Sequence, residues 1–183
     1  FINNIEETIV SVDLQTPMKC PSVMVCEGDW EPLARGLVDR GLCKIVCQEE
    51  LHHIGSQPLL NGLFSVGKDE IKNQIAVSRL IMNLKPWNSI SRSLPAEVGT
   101  LPSITQMSAL YIHDHDVLVT SSEDLRCFFY LFRVPQAWCR FMGFGREAPL
   151  SLRPVGGEGK KWYLAGTVLP MGYLNSVGVA QHI

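Results

Sequence analysis

An apolar run that ends in a carboxylate is the feature of this sequence that most constrains its fold. Residues 116–122 predict a strand, and this strand delivers Asp124 to its far end. A bulky aromatic residue, Phe129, follows five residues later. A lone aspartate after a strand is more often a turn residue or a helix cap than a ligand. The role of this carboxylate therefore has to be inferred from the rest of the chain.

The composition is that of an ordinary folded protein. The chain has 183 residues, of which 46% are hydrophobic and 19% are charged, and this is enough for one core or for one and a half domains. It has no run of about 18 apolar residues, and its start lacks the basic residues of a signal peptide. We therefore expect an intracellular protein without a membrane span. Because the chain starts without Met and stops at Ile183 in mid-pattern, we also expect a piece of a longer reading frame.

The cysteines do not form a recognisable framework. The six of them are scattered along the chain at Cys20, Cys26, Cys43, Cys47, Cys127 and Cys139. Small secreted scaffolds space their cysteines densely, and this sequence also lacks the tight C-x-x-C pairs of structural zinc sites. We therefore expect free thiols in a reducing compartment and no zinc cluster.

Positive charge is concentrated in the last third of the chain, although the net charge is −2. Residues 1–125 hold 9 Lys and Arg against 16 Asp and Glu, whereas residues 126–183 hold 7 against 2. This asymmetry indicates either a surface that holds a phosphate backbone or a solvated basic face.

The first 60 residues predict two helices. One covers residues 30–40, with Asp29 as its cap and Gly41 as its stop. The other is a short piece at residues 49–54.

A hairpin and a further helix are predicted next. Residues 63–66 and 76–84 predict paired strands, joined by a loop at 67–74. A helix should then begin at Pro102 and end at the polar turn of residues 113–116.

The last third predicts a helix, a second pair of strands and another helix. The first helix covers residues 135–142, and the strands cover 145–154 and 162–169 around a glycine-rich turn at 156–159. The final helix should start after Gly172. Separated helices with antiparallel strand pairs indicate an α+β fold rather than an alternating parallel sheet.

Three blocks of this sequence, taken in order, resemble the fingers and palm of a reverse transcriptase of the retrotransposon type. They are residues 79–88, residues 121–130, and residues 169–175 followed by Gln181. The resemblance implies the fingers and a partial palm of a right-hand polymerase over residues 61–183, with residues 1–60 as a helical and loop lead-in. The chain ends before the place where the family carries the paired aspartates of its Tyr-x-Asp-Asp motif.

In this resemblance, Asp124 corresponds to the first catalytic aspartate of the family. With the backbone carbonyl of Leu125 it would ligate Mg²⁺, which prefers hard oxygen ligands. Two such ions in the intact enzyme stabilise the attacking 3′-hydroxyl and the leaving pyrophosphate. Phe129 corresponds to the bulky residue that excludes a ribose 2′-hydroxyl.

The first block implies contacts with the incoming nucleotide. Arg79 would bind the phosphates through its planar fork, and Lys68 falls where the family has a phosphate-binding lysine. A surface lysine is the alternative explanation for Lys68. Asn83 stands where the family prefers Asp, and Asn88 corresponds to a template or primer contact.

The third block resembles the Pro-Phe-Gly or Pro-Gln-Gly turn of the family and the helix that follows it. Met171 and Gly172 are the implied nucleotide contacts, and the implied template or primer contacts are Pro170, Asn175 and Gln181. Proline and glycine let the backbone approach the nucleotide closely. Val177 stands where many relatives have Pro.

The sequence thus predicts an RNA-directed DNA polymerase, which transfers deoxynucleotides to a primer on an RNA or DNA template with two Mg²⁺. The chain alone is expected to be inactive, because Asp124 and one carbonyl cannot hold two ions without further carboxylates. One alternative is a catalytically inactive nucleic-acid-binding or scaffold remnant of a retroelement. Another is a metal-dependent hydrolase that uses His113 and His115, although a polar turn explains these residues better. The oligomeric state is left open.

Overall fold

The computed structural model describes residues 4–10, 19–95, 105 and 110–181, and over these the protein is α+β with antiparallel sheets. The helices are α1 (Glu27–Asp39), α2 (Lys85–Ser89) and α3 (Ser176–Gln181). The strands are β1 (Cys43–Cys47), β2 (His53–Ile54), β3 (Gln57–Pro58), β4 (Gly62–Lys72), β5 (Ile75–Asn83), β6 (Gly143–Glu147) and β7 (Trp162–Gly166). Short 3-10 helices cover Ile5–Thr8, Gln48–Glu50, Phe128–Leu131, Gln136–Phe141 and Leu150–Leu152. Within the described part, no helix has the length and apolar character needed to cross a membrane.

Helix α1 forms close to the predicted position. It begins at Glu27, directly after Cys26, so Asp29 lies in its first turn and not at its cap. Carboxylates in the first turn interact favourably with the positive end of the helix dipole. The helix ends at Asp39, and Gly41 follows with a φ of 64°, a left-handed conformation that glycine adopts without strain. The predicted helix and its glycine stop are confirmed, whereas the predicted cap is wrong.

The central sheet has the strand order β1, β7, β6, and all its neighbours are antiparallel. Strand β1 pairs with β7 from Cys43 opposite Gly166 to Cys47 opposite Trp162. The predicted pairing of β6 with β7 is confirmed, although β6 ends earlier than predicted and a 3-10 helix follows it. Local patterns in the sequence do not predict β1. Where it predicts a helix at 49–54, the chain forms a 3-10 helix and strand β2.

Strands β4 and β5 form the predicted hairpin, but its loop is much shorter than predicted. The pairing runs from Gly62 opposite Asn83 to Lys72 opposite Ile75, with a bulge on the way. The expected loop at 67–74 is therefore mostly strand.

The hairpin projects from the core as an arm. Its turn consists of Asn73 and Gln74, whose φ values of 50° and 65° are those of a type I′ turn, a turn with the twist of the flanking strands. At the inner end Leu63 and Met82 are 0% and 3% exposed, whereas Ile71 near the turn is 76% exposed. The outer half of the hairpin is therefore open to binding partners on its faces.

Aromatic rings and one buried amide form the centre of the core. The indole of Trp87 in α2 stacks on Tyr173, with 4.1 Å between the ring centroids. Asn61, which is fully buried, donates hydrogen bonds from Nδ2 to the carbonyl oxygens of Phe141 and Gly143 at 2.9 and 3.1 Å. This amide ties the start of the hairpin to β6.

The strand predicted at residues 116–122 is absent. Residues 110–125 have exposed side chains and form no strand. A strand needs a neighbour for its backbone N–H and C=O groups, and none of the described strands pairs with this segment. The polar turn before it is confirmed, because the amide of Asp116 donates to the carbonyl oxygen of His113 at 2.9 Å.

Three other predicted helices have different outcomes. The helix predicted from Pro102 lies mostly outside the described residues. The 3-10 helix Gln136–Phe141 follows Pro135, where a short helix is predicted. Helix α3 starts at Ser176 and not directly after Gly172.

Candidate functional site

An open cleft of about 530 Å³ lies on one face of the β4–β5 hairpin. Its lining residues are Val66, Gly67, Lys68, Asp69, Glu70, Arg79 and Ile81. Arg79 pairs with Val66 across the hairpin, and Lys68 lies two residues beyond Val66, where the bulge begins. The two cations that the sequence predicts as phosphate ligands therefore line the same cleft.

Glu70 lies between two lysines at the edge of this cleft. Its Oε1 is 3.1 Å from Nζ of Lys72, and its Oε2 is 3.8 Å from Nζ of Lys68. The hydrogen bond from Lys72 is the largest cause that lowers the pKa of the Glu70 carboxyl, and the charges of Lys68 and Arg126 lower it further. The carboxylate therefore stays ionised and balances part of the positive charge of the cleft.

Arg79 differs from Lys68 in its ion pairs. No carboxylate of the described residues forms an ion pair with Arg79. It lies near Tyr130, whose hydroxyl donates to the carbonyl oxygen of Leu80 at 3.1 Å. Burial raises the pKa of the Tyr130 phenol, and the charge of Arg79 opposes this rise in part. The 3-10 helix that carries Tyr130 is thus docked on β5 beside Arg79.

The second sequence block is split between the surface and the core. Phe129, in the 3-10 helix Phe128–Leu131, is half-buried and packs against the main core, with its ring 5.6 Å from that of Phe128. Asp124 and Leu125 lie just before this helix on exposed, irregular chain, and Leu125 is 57% exposed. The predicted metal ligands therefore lie at the surface, and the ring predicted to select the sugar lies partly in the core.

The first and third sequence blocks meet at Gly172. Nδ2 of Asn88 donates to the carbonyl oxygen of Gly172 at 2.8 Å, and Oδ1 of Asn88 accepts from the amide of Leu174 at 2.9 Å. A Cβ atom on Gly172 would lie 2.7 Å from the carbonyl oxygen of Met82, too close for any other residue without a shift. The turn therefore lies directly against the end of β5.

Asn175 is buried, and its side-chain amide is used within the protein. Its Oδ1 accepts from the amide of Leu94 at 2.9 Å, and its Nδ2 donates to the carbonyl oxygen of Arg92 and to Oη of Tyr173, both at 3.1 Å. Asn175 and Asn88 thus both fix the backbone around the turn. A contact of either residue with template or primer stays a prediction.

The other predicted residues of the third block differ in exposure. Pro170 is buried, whereas Met171 is 54% exposed and Gln181 is exposed at the end of α3. The buried proline holds the turn, since its carbonyl oxygen accepts from the amide of Tyr173 at 3.2 Å. Met171 is accessible to a ligand, and its contact with a nucleotide stays a prediction, as does that of Gln181 with a template.

Much of the positive charge in the last third is committed to the fold. Four of its arginines bind backbone or carboxylate oxygens of this chain, namely Arg133, Arg140, Arg146 and Arg153. Arg146 also lies over the ring of Trp30, with its Cζ 5.1 Å from the ring centroid. At these four positions the positive charge therefore serves contacts within the chain.

Asp124 and Leu125 offer oxygen ligands, which are the type of ligand that a hard cation prefers. In the described part of the chain, no group of three or more His, Cys, Asp or Glu side chains is placed to hold a metal ion. Mg²⁺, however, often binds through one or two carboxylates, and substrate phosphates and waters complete its shell. The carboxylate of Asp124 and the carbonyl of Leu125 are oxygen ligands of this type.

Glu70 and Tyr130 belong to the site but were not predicted from the sequence. Glu70 lies two residues after Lys68, but both fall in the bulge between Gly67 and Ile71, where the alternation of a regular strand does not fix the face of a side chain. No local signal exists for Tyr130, because its hydrogen bond to Leu80 joins residues 50 apart in the sequence.

No model of a known protein family matches the chain, and no curated protein matches it in a sequence comparison. A function therefore has to be argued from the geometry of the cleft and from the three sequence blocks.

Proposed function

We propose that this chain provides the fingers and part of the palm of an RNA-directed DNA polymerase. The observation that carries the proposal is that Lys68 and Arg79 line one cleft of about 530 Å³. Sites for small molecules commonly have volumes of about 300–1,000 Å³, and paired cations suit a triphosphate. The contact of Asn88 with Gly172 adds support, because it joins two of the three blocks of the resemblance.

In this proposal Arg79 and Lys68 divide the binding of the triphosphate. The guanidinium of Arg79 offers a planar fork that binds two phosphate oxygens at once, whereas the ammonium of Lys68 acts as a movable point charge. Both cations stabilise the negative charge that the reaction leaves on the pyrophosphate. The side chain of Lys68 is exposed, which leaves its ammonium group free to move with the phosphates.

Asp124 and the carbonyl of Leu125 are the residues that would hold Mg²⁺, which stabilises the attacking 3′-hydroxyl and the leaving pyrophosphate when bound. Asp124 lies on exposed irregular chain, and no described strand fixes the direction of its carboxylate. Phe129 would then exclude a ribose 2′-hydroxyl with the part of its ring that is not packed in the core.

A catalytically inactive, nucleic-acid-binding remnant of a retroelement is the second candidate. The exposure of Asp124 favours it, since no described strand supports the segment that carries this carboxylate. Asn83, which replaces an acidic residue of the family pattern, also favours it. Such a protein would keep the cationic cleft without an ordered catalytic carboxylate.

Nucleotide binding by the purified chain tests the role of the cleft. We expect Arg79→Ala to weaken the binding of Mg²⁺·dATP by about tenfold or more, because a hydrogen bond to a charged group contributes about 1.5–3 kcal/mol. Binding is measured by isothermal titration calorimetry. The control is Lys161→Ala, which removes an exposed lysine outside the cleft and should leave the affinity unchanged. Equal affinities of the parent and Arg79→Ala would remove Arg79 from this role.

Primer extension separates the two candidates. It requires a longer protein from the same reading frame that carries a Tyr-x-Asp-Asp motif, and it compares this parent with Asp124→Ala. If the protein is a polymerase, the parent should extend the primer and Asp124→Ala should abolish this extension. Arg79→Ala should then raise the nucleotide concentration needed for extension more than it weakens primer–template binding. If the protein is an inactive remnant, it should bind nucleic acid without extending the primer.

A further inference from the structure

We propose that Glu70 is an internal counterion of the cleft, which holds Lys68 and Lys72 in the ligand-free protein and is displaced when a polyphosphate binds. This inference rests on the proposed function, since it takes the cleft as a phosphate site. It adds a residue that sets the affinity of the site without touching the substrate.

The geometry of the carboxylate supports this role. Each oxygen of Glu70 faces one lysine, with Oε1 3.1 Å from Nζ of Lys72 and Oε2 3.8 Å from Nζ of Lys68. A phosphate group presents its oxygens to cations in a similar way. Glu70 thus occupies, from within the chain, the position of an anionic ligand of Lys68.

The charge around Glu70 exceeds what one carboxylate can balance. Lys68, Lys72 and Arg126 all act on Glu70, and Arg79 lines the same cleft. Asp69 is a second carboxylate in the lining, but it forms no ion pair with a described lysine or arginine. A triphosphate, which carries several negative charges, complements this group of cations better than Glu70 alone.

The ion pairs of Glu70 are weak enough to exchange. The side chains of Lys68 and Glu70 are 42% and 39% exposed, and that of Lys72 is 55% exposed. Exposed pairs of this kind contribute little to stability because water screens them. An incoming polyphosphate can therefore replace Glu70 at Lys68 at low cost, whereas a weakly charged anion gains little over the carboxylate already present.

The inference is tested with inorganic tripolyphosphate as the probe, in calorimetric titrations at fixed ionic strength. We expect Glu70→Gln to bind the probe about threefold more tightly than the parent, as expected for the loss of an exposed competing pair. The matched control is Asp69→Asn, which removes the same charge from the same cleft but breaks no ion pair with a described residue. Its gain in affinity should be clearly smaller.

The outcomes separate this inference from the proposed function. If Arg79→Ala binds tripolyphosphate as tightly as the parent, or the parent does not bind it, the cleft is not a phosphate site and both ideas fail. If Arg79→Ala loses binding while Glu70→Gln leaves it unchanged, only the counterion role fails. Equal gains in Glu70→Gln and Asp69→Asn also overturn this role, because net charge alone then explains the effect.

A second measurement needs no variant. The pKa of the Glu70 carboxyl, followed by carbon NMR of the parent protein, should rise when tripolyphosphate is added. One reason is that Lys72 and Lys68, which hold this pKa low, leave the carboxylate for the phosphate, and another is that the phosphate brings negative charge beside it. An unchanged titration curve at saturating tripolyphosphate would show that Glu70 keeps its lysines and is not displaced.

Discussion

Phe129 is half-buried against the core, and this position makes its proposed role in sugar selection testable. In a longer protein that carries the downstream aspartates, we expect Phe129→Val to raise ribonucleotide use relative to deoxynucleotide use by about tenfold. A 2′-hydroxyl that meets the ring loses its water without gaining a partner, at a cost of about 1–3 kcal/mol, and valine relieves this conflict. The measurement is primer extension with each class of nucleotide.

The neighbouring ring provides the control for this experiment. Phe128→Val removes an aromatic group of the same 3-10 helix, 5.6 Å from the ring of Phe129, and should leave the ratio of the two activities unchanged. If Phe129→Val lowers both activities together without changing their ratio, Phe129 is a core residue only.

His52 should make the stability of the fold depend on pH. Its ring packs on Phe141, with 4.7 Å between the ring centroids. Burial lowers the pKa of His52, the charge of Arg140 lowers it further, and that of Glu6 opposes both. The unfolded chain therefore binds the proton more readily than the folded protein, so the free energy of unfolding should fall as the pH decreases through about 6.5.

Urea denaturation at pH 7.5 and at pH 5.5 checks this prediction. His52→Gln should reduce the difference between the two pH values, whereas His115→Gln, at an exposed position, should not. An identical pH dependence in His52→Gln and the parent would assign the effect to other groups.

The β4–β5 hairpin closes through a turn that suits Asn73, since asparagine readily adopts positive φ, but does not suit Gln74. Asn73 and Gln74 both have positive φ, and a left-handed conformation costs a non-glycine residue about 1–2 kcal/mol. Gln74→Gly should therefore stabilise the protein by about 0.5–1 kcal/mol, after the greater entropy of glycine in the unfolded chain is subtracted. The gain is measured by urea denaturation.

Gln74→Ala is the control for the hairpin turn, because alanine keeps the Cβ atom that makes the conformation costly. It should give no gain in stability. A loss of stability in Gln74→Gly would mean that the side chain of Gln74 contributes more than its backbone strain costs.

Elements with local signals could be predicted from the sequence, and elements that depend on distant partners could not. Helix α1 has its apolar face and a glycine stop within 15 residues, and the hairpin has two apolar runs on either side of one turn. Strand β1, by contrast, is defined by its pairing with β7, which local patterns do not show. The predicted strand at 116–122 has a suitable pattern, but no described strand lies beside it.

The same distinction applies to the candidate site. The resemblance named Lys68 and Arg79 as phosphate ligands, but their shared cleft depends on the register of β4 and β5, which the predicted loop at 67–74 did not give. The contacts of Asn88 with Gly172 and Leu174 join residues 84 and 86 apart, and the sequence did not predict them. Whether a side chain such as that of Asn175 serves the fold or a ligand depends on such distant contacts.

In the molecule as a whole, the first described strand, β1, pairs with the last, β7, in the central sheet. Cys47 on β1 lies opposite Trp162 on β7, 115 residues further along the chain, and buried residues of both strands belong to one core. A chain that stops at residue 155 lacks β7 and should therefore show no cooperative unfolding in urea, whereas the 183-residue chain should show one transition. A cooperative transition in the shorter chain would show that β7 is dispensable for the core.

The same pairing has a consequence for synthesis of the protein in the cell. At about 5–20 residues per second, the ribosome makes β7 roughly ten seconds after β1. During this interval β1 lacks its sheet neighbour, and Val46, Cys43 and Cys47, all buried in the finished fold, lack the cover that β7 gives them. Unpaired apolar strands of this kind associate with other chains. The yield of folded protein should therefore depend on how fast the ribosome moves and on which chaperones meet the nascent chain.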